Sequence, residues 1–258
     1  MPFIEVGDLR THFALTGDGG PVLVFSNSLG TNVSMWDPQM AELQRRFRIL
    51  RYDTRGHGQS SVTLGDYTIE QLGRDVLGLL DSLHLDRVHF CGLSVGGMIG
   101  MWLAIHAPSR LHRLVLANTA ARIGTKEMWN ARIATVRKDG MKSVAATVIE
   151  RWFTPEFRAS SAETVARARR MLETSPPAGY AASCAAIRDM DQREAAAKIK
   201  MPTLVIYGGK DPVTPASEAR FLTDRIQGAA KVELAAAHLS NVEQPDAFTD
   251  AVSNFLST

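Results

Sequence analysis

The sequence predicts an α/β protein built on a doubly wound, mostly parallel sheet with a helical insertion. Three observations support this prediction. Short, nearly all-apolar runs alternate with segments of helical periodicity, the alternation stops after Asn118, and it returns near Pro202. A length of 258 residues suits one large α/β domain or a domain with an insertion.

The predicted strands are runs that are apolar at nearly every position. Near the N-terminus, "FIEV" and "RTHFAL" are typical of a hairpin that turns around Gly7-Asp8. The later runs are typical of strands that are covered on both faces, as in a parallel sheet. These runs are "PVLVFS" (21–26), "FRILRYD" (47–53), "RVHFCG" (87–92), "RLVLAN" (113–118), "PTLVIYG" (202–208) and "KVELAA" (231–236).

The predicted core helices have apolar residues at intervals of three to four. They are "DPQMAELQRRF", "TIEQLGRDVLGLLDSLH" and "VGGMIGMWLAIHAP". Thr68 opens the second of these segments and is a suitable N-cap residue. Repetition of strand, helix and strand implies right-handed crossovers and therefore a doubly wound sheet.

The insertion is predicted from a stretch without convincing strands. Residues 121–198 are rich in Ala, Arg and Met and have helical periodicity, and "SPPAGY" at 175–180 is expected to separate two helices. We therefore predict that residues 1–120 and 199–258 form the core domain. Residues 121–198 are predicted to form a helical lid over it.

Composition argues against several classes of protein. The formal net charge is +2 and no basic or acidic block is present, so neither nucleic acid nor a membrane surface is an expected partner. The two cysteines, Cys91 and Cys184, have no metal-ligand spacing and are expected to be inert buried thiols. The stretch "MPFIEVGDLRTHFAL" does not resemble a signal peptide, and no apolar run is long enough for a bilayer. We expect a soluble cytoplasmic protein.

The motif Gly92-Leu93-Ser94-Val95-Gly96 lies where a buried strand becomes a buried helix. Gly-x-Ser-x-Gly in this context is the nucleophile elbow, a tight turn that strains the serine and exposes its hydroxyl at the carboxyl edge of the sheet. The alternative is a glycine-rich turn for phosphate. That alternative is weaker because the motif lacks the Lys-Ser/Thr end of a phosphate loop and the spacing of a dinucleotide fingerprint.

A serine nucleophile needs a base, and the base needs an orienting acid. Asp211 follows the strand "VIYG", in a loop that contains Pro212 and Pro215, and His238 follows the last strand. The chain order Ser, acid, His agrees with the elbow motif. We therefore predict Ser94 as nucleophile, Asp211 as acid and His238 as base.

Other candidates for the acid and base are less suitable. Asp53 is the one serious rival acid, because it also follows a strand, in "YDTRGHGQS". His57 in the same stretch is expected to belong to a tight structural loop, and His106 to face neighbours or solvent from within a helix. The remaining histidines lie at the wrong ends of elements: His12, His84, His89 and His112.

An oxyanion hole is expected beside the nucleophile. One donor is predicted to be the N–H of Val95, which directly follows Ser94. The second is predicted to be the N–H of Leu29, in the loop "FSNSLGTNVSMW" after an early strand. Gly30 is expected to supply the flexibility of this loop.

Together these residues resemble the α/β-hydrolase family over essentially the whole chain. Three segments, "FSNSLGTNVSMWDPQM", "RILRYDTRGHGQS" and "AAHLSNVEQPDAF", closely resemble the 3-oxoadipate enol-lactonases within it. The resemblance implies an α/β-hydrolase fold and hydrolysis of a small lactone to 3-oxoadipate in aromatic catabolism. It implies no metal and no organic cofactor. It says nothing of oligomeric state, and "SNSLG" departs from the His-Gly that many relatives have at this loop.

A lactone substrate with a free carboxylate needs an apolar pocket that contains a donor or cation. Trp129, Trp152 and Met128 are candidate walls, and Arg132 or Lys126 is the candidate carboxylate ligand. The alternative is that the aromatic residues form the core of the lid and that the basic residues are solvated.

Rival functions use the same residues. Another small-ester or lactone hydrolase, or a cofactor-free haloperoxidase-like relative, would need the same three side chains. A ligand receptor with slow turnover could retain them on the same fold. A dehalogenase is disfavoured because it would need Asp rather than Ser at position 94.

Overall fold

The computed structural model describes residues 2–17 and 19–257. Met1, Asp18 and Thr258, which the predicted core segments include, lie outside the described residues. The described chain forms an eight-stranded sheet flanked by helices, as predicted. The strands are β1 (Phe3–Val6), β2 (Leu9–Thr16), β3 (Val22–Ser26), β4 (Arg48–Tyr52), β5 (Val88–Leu93), β6 (Leu111–Ala117), β7 (Thr203–Gly208) and β8 (Ala230–Leu234).

The strand order is β1-β2-β4-β3-β5-β6-β7-β8. The β1–β2 hairpin and the β2–β4 pair are antiparallel, whereas the six strands from β4 to β8 along the sheet pair in parallel. All residues of β3 and β5 are buried, as expected for strands covered on both faces. The order reverses at β3, so the strands on either side of this point open a crevice at their carboxyl ends.

Three helices of the first half connect these strands. They are α1 (Asp37–Leu43), α2 (Ile69–Ser82) and α3 (Val95–His106). The Thr68 side chain accepts a hydrogen bond from the Gln71 N–H and so caps α2 as predicted. Helix α3 is buried from Val95 to Ala104, because it packs between the sheet and the neighbouring helices. This burial fixes the position of its N-terminus, where Ser94 lies.

Between β6 and β7 the described chain contains helices and no strand. These helices are α4 (Lys126–Asp139), α5 (Lys142–Trp152), α6 (Pro155–Ser160), α7 (Ala162–Glu173) and α8 (Pro177–Asp189). The "SPPAGY" stretch separates α7 from α8, as expected. The last helices are α9 (Ala216–Arg225), α10 (Ser240–Glu243) and α11 (Pro245–Ser257).

The two cysteines are buried free thiols, as expected. Burial raises the pKa of Cys184 to about 12 and also raises that of Cys91. Because the thiolate is the reactive form, neither thiol is activated as a nucleophile.

Candidate active site

Ser94 has the strained backbone that a nucleophile elbow requires. Its φ of 57° and ψ of −117° lie in a region that side chains other than Gly rarely adopt. The turn is possible because the residues on either side are small. A Cβ atom at Gly92 would collide with the Gly96 carbonyl, and one at Gly96 would collide with the Ser26 carbonyl.

Backbone contacts hold the elbow on the sheet. The Ser94 N–H donates to the Ala117 carbonyl at 2.9 Å, and the Gly96 N–H donates to the Asn27 carbonyl at 3.1 Å. The Thr119 hydroxyl donates to the Ser94 carbonyl at 2.7 Å. A strained conformation persists only where the surroundings over-determine it, and these three bonds do so.

Asp211 and His238 lie together at the carboxyl ends of β7 and β8. Asp211 Oδ2 is 2.8 Å from His238 Nδ1, and both side chains are almost fully buried. Burial by itself would raise the pKa of Asp211, but the charge and hydrogen bond of His238 and further side-chain donors outweigh it and lower the pKa to about 2. Asp211 is therefore ionised at neutral pH and places a negative charge against His238 Nδ1.

Asp211 is held by its own loop as well. Its Oδ1 accepts from the backbone N–H groups of Val213 at 2.7 Å and Thr214 at 3.1 Å. Its Oδ2 accepts from the Thr214 hydroxyl at 2.6 Å. Because the carboxylate is fixed by donors on both oxygens, it can orient the His238 ring without moving.

Asn118 holds the Asp211 carboxylate, and the sequence analysis did not predict this contact. Its Nδ2 donates to Asp211 Oδ2 at 2.9 Å and to the Ala237 carbonyl at 3.2 Å, and its Oδ1 accepts from the Ser240 hydroxyl at 2.5 Å. Its φ is 42°, a left-handed conformation that Asn adopts more readily than most residues. The sequence feature that could have indicated this contact is the position of Asn118 directly after β6, at the carboxyl edge of the sheet.

The two predicted oxyanion donors lie beside Ser94. Leu29 lines the same cavity as Ser94, and Val95 is the first residue of α3. Within the described part of the chain neither backbone N–H has a hydrogen-bond acceptor. Gly30 follows Leu29 with a φ of 77°, a left-handed conformation that glycine adopts without strain.

One cavity of about 150 Å³ contains the candidate nucleophile and base. Ser94 and His238 both line it, together with Leu29 and residues of α4, α5 and α8. Among the described residues the Ser94 hydroxyl makes no hydrogen bond to His238. Such contacts are often long in a free enzyme and shorten only when substrate binds.

All but one of the residues predicted to contact substrate line this cavity. Trp129, Trp152 and Met128 form apolar parts of its wall, and Arg132 forms a basic part. The Trp129 indole N–H donates to the Ile123 carbonyl at 2.9 Å, so this ring presents apolar surface to the cavity. Lys126, the other candidate carboxylate ligand, is exposed and is not among the lining residues.

Arg151 is a second basic residue of the wall, and sequence reasoning did not single it out. In the described part of the chain neither Arg132 nor Arg151 forms an ion pair with a carboxylate. Arg132 donates a hydrogen bond to the Tyr180 hydroxyl at 3.4 Å. Two guanidinium groups that have no acidic partner among the described residues make the cavity suitable for an anionic ligand.

The rival acid Asp53 lies against a different histidine. Its Oδ2 is 2.7 Å from His12 Nδ1, and its Oδ1 accepts from the Val33 N–H at 2.8 Å. His57 is buried, its Nδ1 lies 3.2 Å from the Arg55 carbonyl, and burial lowers its pKa. These contacts fit the structural loop expected for this stretch.

The described residues contain no group of three or more His, Cys, Asp or Glu side chains arranged to hold a metal ion. Among the same residues, none of the helices has the length and hydropathy needed to cross a bilayer.

Comparisons with known proteins agree with this geometry. A family model described as the alpha/beta hydrolase fold matches residues 21–245. The chain is 46% identical to 3-oxoadipate enol-lactonase 2 of Acinetobacter baylyi, over 95% of this chain and 92% of that protein. It is also similar to the crystal structure of the enol-lactonase from Burkholderia xenovorans LB400, with 45% identity, a TM-score of 0.98 and full coverage of both chains.

A more distant structure is also similar. It is a thermophilic esterase from Thermogutta terrifontis with malate bound, 29% identical, with a TM-score of 0.95 over all of this chain and 98% of that one. The resemblance seen in the three sequence segments is confirmed by these relatives. The chain belongs to the alpha/beta hydrolase fold family.

Proposed function

We propose that this protein hydrolyses the enol-lactone of 3-oxoadipate, as a step in the breakdown of aromatic compounds. Its similarity to the enol-lactonases of Acinetobacter baylyi and Burkholderia xenovorans supports the choice of substrate. The observation that carries the chemistry is the cavity lined by both the strained Ser94 and His238, whose ring is held from behind by Asp211.

Acylation begins when His238 Nε2 removes the Ser94 hydroxyl proton as the oxygen attacks the lactone carbonyl carbon. Asp211 holds Nδ1–H and stabilises the imidazolium. The Leu29 and Val95 N–H groups donate to the oxygen anion that develops on the carbonyl.

Collapse of the tetrahedral intermediate breaks the ring C–O bond. The leaving oxygen belongs to an enol, which is a better leaving group than a simple alcohol, and it takes the proton from His238. The enol, which is still part of the acyl chain attached to Ser94, tautomerises to a ketone. The ketone cannot readily close the ring again. The step is therefore pulled forward, and the acyl group remains as an ester on Ser94.

Deacylation reverses the proton transfers. His238 removes a proton from water, the hydroxide oxygen attacks the acyl ester carbon, and the Ser94 oxygen leaves with the proton held by His238. The product is 3-oxoadipate, and the free enzyme is restored without any cofactor.

The substrate carboxylate is proposed to bind Arg132, with Arg151 adding positive charge at the same wall. The absence of acidic partners for both groups in the described chain supports this role. The similar Thermogutta esterase has been solved with malate bound, and this supports a small carboxylate as the ligand. Trp129 and Trp152 are proposed to pack against the apolar part of the substrate.

Residues 121–198 are proposed to act as a lid over this cavity, since several of their helices contribute to its wall. The proposed location is the cytoplasm. This location is a prediction from the sequence.

The experiment is a comparison of kcat and KM for the enol-lactone, an aryl ester and bromide with peroxide. We expect the enol-lactone to be turned over well above about 1 s⁻¹, within the usual range of enzymes. Ser94→Ala is expected to abolish turnover, whereas Ser183→Ala, which removes a buried hydroxyl without a partner in the described residues, should not. Faster reaction with another substrate would refute the assignment, and binding with turnover far below 1 s⁻¹ would identify a receptor.

A further inference from the structure

Glu243 is a buried carboxylate that the mechanism above does not use. It ends α10, five residues after His238, and only 6% of it is exposed. Among the described residues it forms no ion pair with a basic side chain. Burying a carboxylate costs free energy unless donors compensate it, so its partners are informative.

Its donors come from two different parts of the chain. Glu243 Oε2 accepts from the Ala237 N–H at 2.9 Å, directly before His238. Its Oε1 accepts from the Thr154 hydroxyl and from the Thr154 N–H, the latter at 3.3 Å. Thr154 lies between α5 and α6, within the insertion at 121–198. One carboxylate therefore joins the insertion to the loop that contains the base.

The residue on the other side of His238 is tied to the same segment. The Leu239 N–H donates to the Trp152 carbonyl at 3.0 Å. The Trp152 side chain lines the cavity that contains Ser94. Both neighbours of His238 are thus linked to residues 152–154. Leu239 contacts Trp152 directly, and Ala237 is joined to Thr154 through the Glu243 carboxylate.

We propose that Glu243 is a positioning residue that aligns His238 with Ser94 only while the 152–154 segment is in place over the cavity. The insertion and the general base then form one unit, so that the closed cavity and the aligned base occur together. This inference rests on the proposed function, because it takes His238 as the base.

Substitutions at Glu243 and Thr154 test whether the hydrogen bonds that join Ala237 to Thr154 through Glu243 matter for catalysis, or whether any buried polar group would serve. Glu243→Gln preserves the size of the side chain, but its amide nitrogen cannot accept a hydrogen bond, so either Ala237 or Thr154 loses its acceptor. Thr154→Val removes the hydroxyl, which donates to Glu243 and also accepts from the Phe157 N–H at the start of α6, whereas Thr154→Ser keeps both contacts. Glu233→Gln is the matched control, since Glu233 is exposed on β8 and accepts a hydrogen bond from the Tyr207 hydroxyl.

The experiment measures kcat, KM and the rate at which phenylmethylsulfonyl fluoride inactivates each folded variant. Loss of one buried acceptor is expected to lower kcat about tenfold in Glu243→Gln. The inactivation rate should fall by the same factor, because it depends on the base and not on substrate binding, and KM should change less than about threefold. Thr154→Val should lower both rates, Thr154→Ser should restore them, and Glu233→Gln should behave as wild type.

A Glu243→Gln protein with wild-type kcat and inactivation rate, or with a raised KM alone, would overturn the proposal. If that variant does not fold, equal kcat in the Thr154→Val and Thr154→Ser proteins would overturn it instead. The proposed function fails separately. Its failure would be seen as activity that survives Ser94→Ala in the otherwise unaltered protein.

Discussion

Replacing Asp211 by Asn tests how the site activates its base. The substitution keeps the size of the side chain but removes the negative charge that lies 2.8 Å from His238 Nδ1. It also allows an amide N–H₂ to face the ring nitrogen, which favours the wrong tautomer of His238. Both effects raise the energy of the imidazolium that forms in the transition state.

The magnitude follows from the geometry. An Nδ1–Oδ2 distance of 2.8 Å puts the charge centres of the pair about 4 Å apart, at which two unit charges interact by about 4 kcal/mol for an effective dielectric constant of about 20. Since about 1.4 kcal/mol corresponds to a factor of ten in rate, kcat should fall by about 10³-fold. The ring is also freed to take the wrong tautomer, so this figure is a lower bound.

The assay is steady-state hydrolysis of the enol-lactone by purified, folded protein, with Asp53→Asn as the matched control. Asp53 has a similar buried contact, 2.7 Å from His12 Nδ1, away from the cavity. The control should lower the melting temperature while kcat per folded molecule stays within about threefold of wild type, because no reacting group is touched. The opposite result, a large loss of kcat in Asp53→Asn and a small one in Asp211→Asn, would make Asp53 the acid and refute the reasoning.

Asn118→Gly keeps the left-handed backbone and removes the side-chain donor to Asp211. We therefore expect kcat to fall about tenfold in the same assay. An unchanged kcat would show that Asn118 does not orient Asp211. Arg132→Gln should raise KM for the enol-lactone by about ten- to a hundredfold and leave KM for a neutral aryl ester unchanged. Arg151→Gln should have a smaller effect on KM for the enol-lactone, because the Arg151 side chain is exposed. Equal effects on both substrates would contradict carboxylate binding. Burial and the neighbouring basic residues lower the pKa of His89 from 6.5 to about 4. Between these pH values the unfolded chain therefore binds more protons than the folded chain does. The free energy of unfolding should fall as the pH drops from 6.5 to 4. The contribution of His89 should be at most about 3 kcal/mol by urea unfolding, so His89→Gln should lose less stability by up to that amount, while the buried His57 still contributes. A variant with the same pH dependence as wild type would exclude His89 as a cause.

The fold was predictable because each strand is marked locally. The runs "FRILRYD" and "PTLVIYG" differ from β4 and β7 by one residue at each end or less, since burial on both faces demands apolar residues at nearly every position. The strained turn at Ser94 was predictable for a similar reason, because it demands glycine two residues before and two residues after the serine.

The supporting residues were not predictable because their contacts join distant parts of the chain. Asn118 reaches Asp211 across 93 positions, and Glu243 reaches Thr154 across 89. Nothing in the local sequence around these residues distinguishes them from a turn residue or a solvated acid. Arg151 was missed because the face that α5 presents to the cavity depends on how the helices of the insertion pack.

The most direct test of the central claim, that Ser94 is the nucleophile activated by His238, is peptide mapping after labelling with phenylmethylsulfonyl fluoride. Mass spectrometry of the digested protein should find one sulfonylated residue, Ser94, with loss of activity in proportion to labelling. The His238→Ala protein should remain unlabelled under the same conditions. A sulfonyl group on any other residue, or equal labelling of Ser94 without His238, would contradict the account.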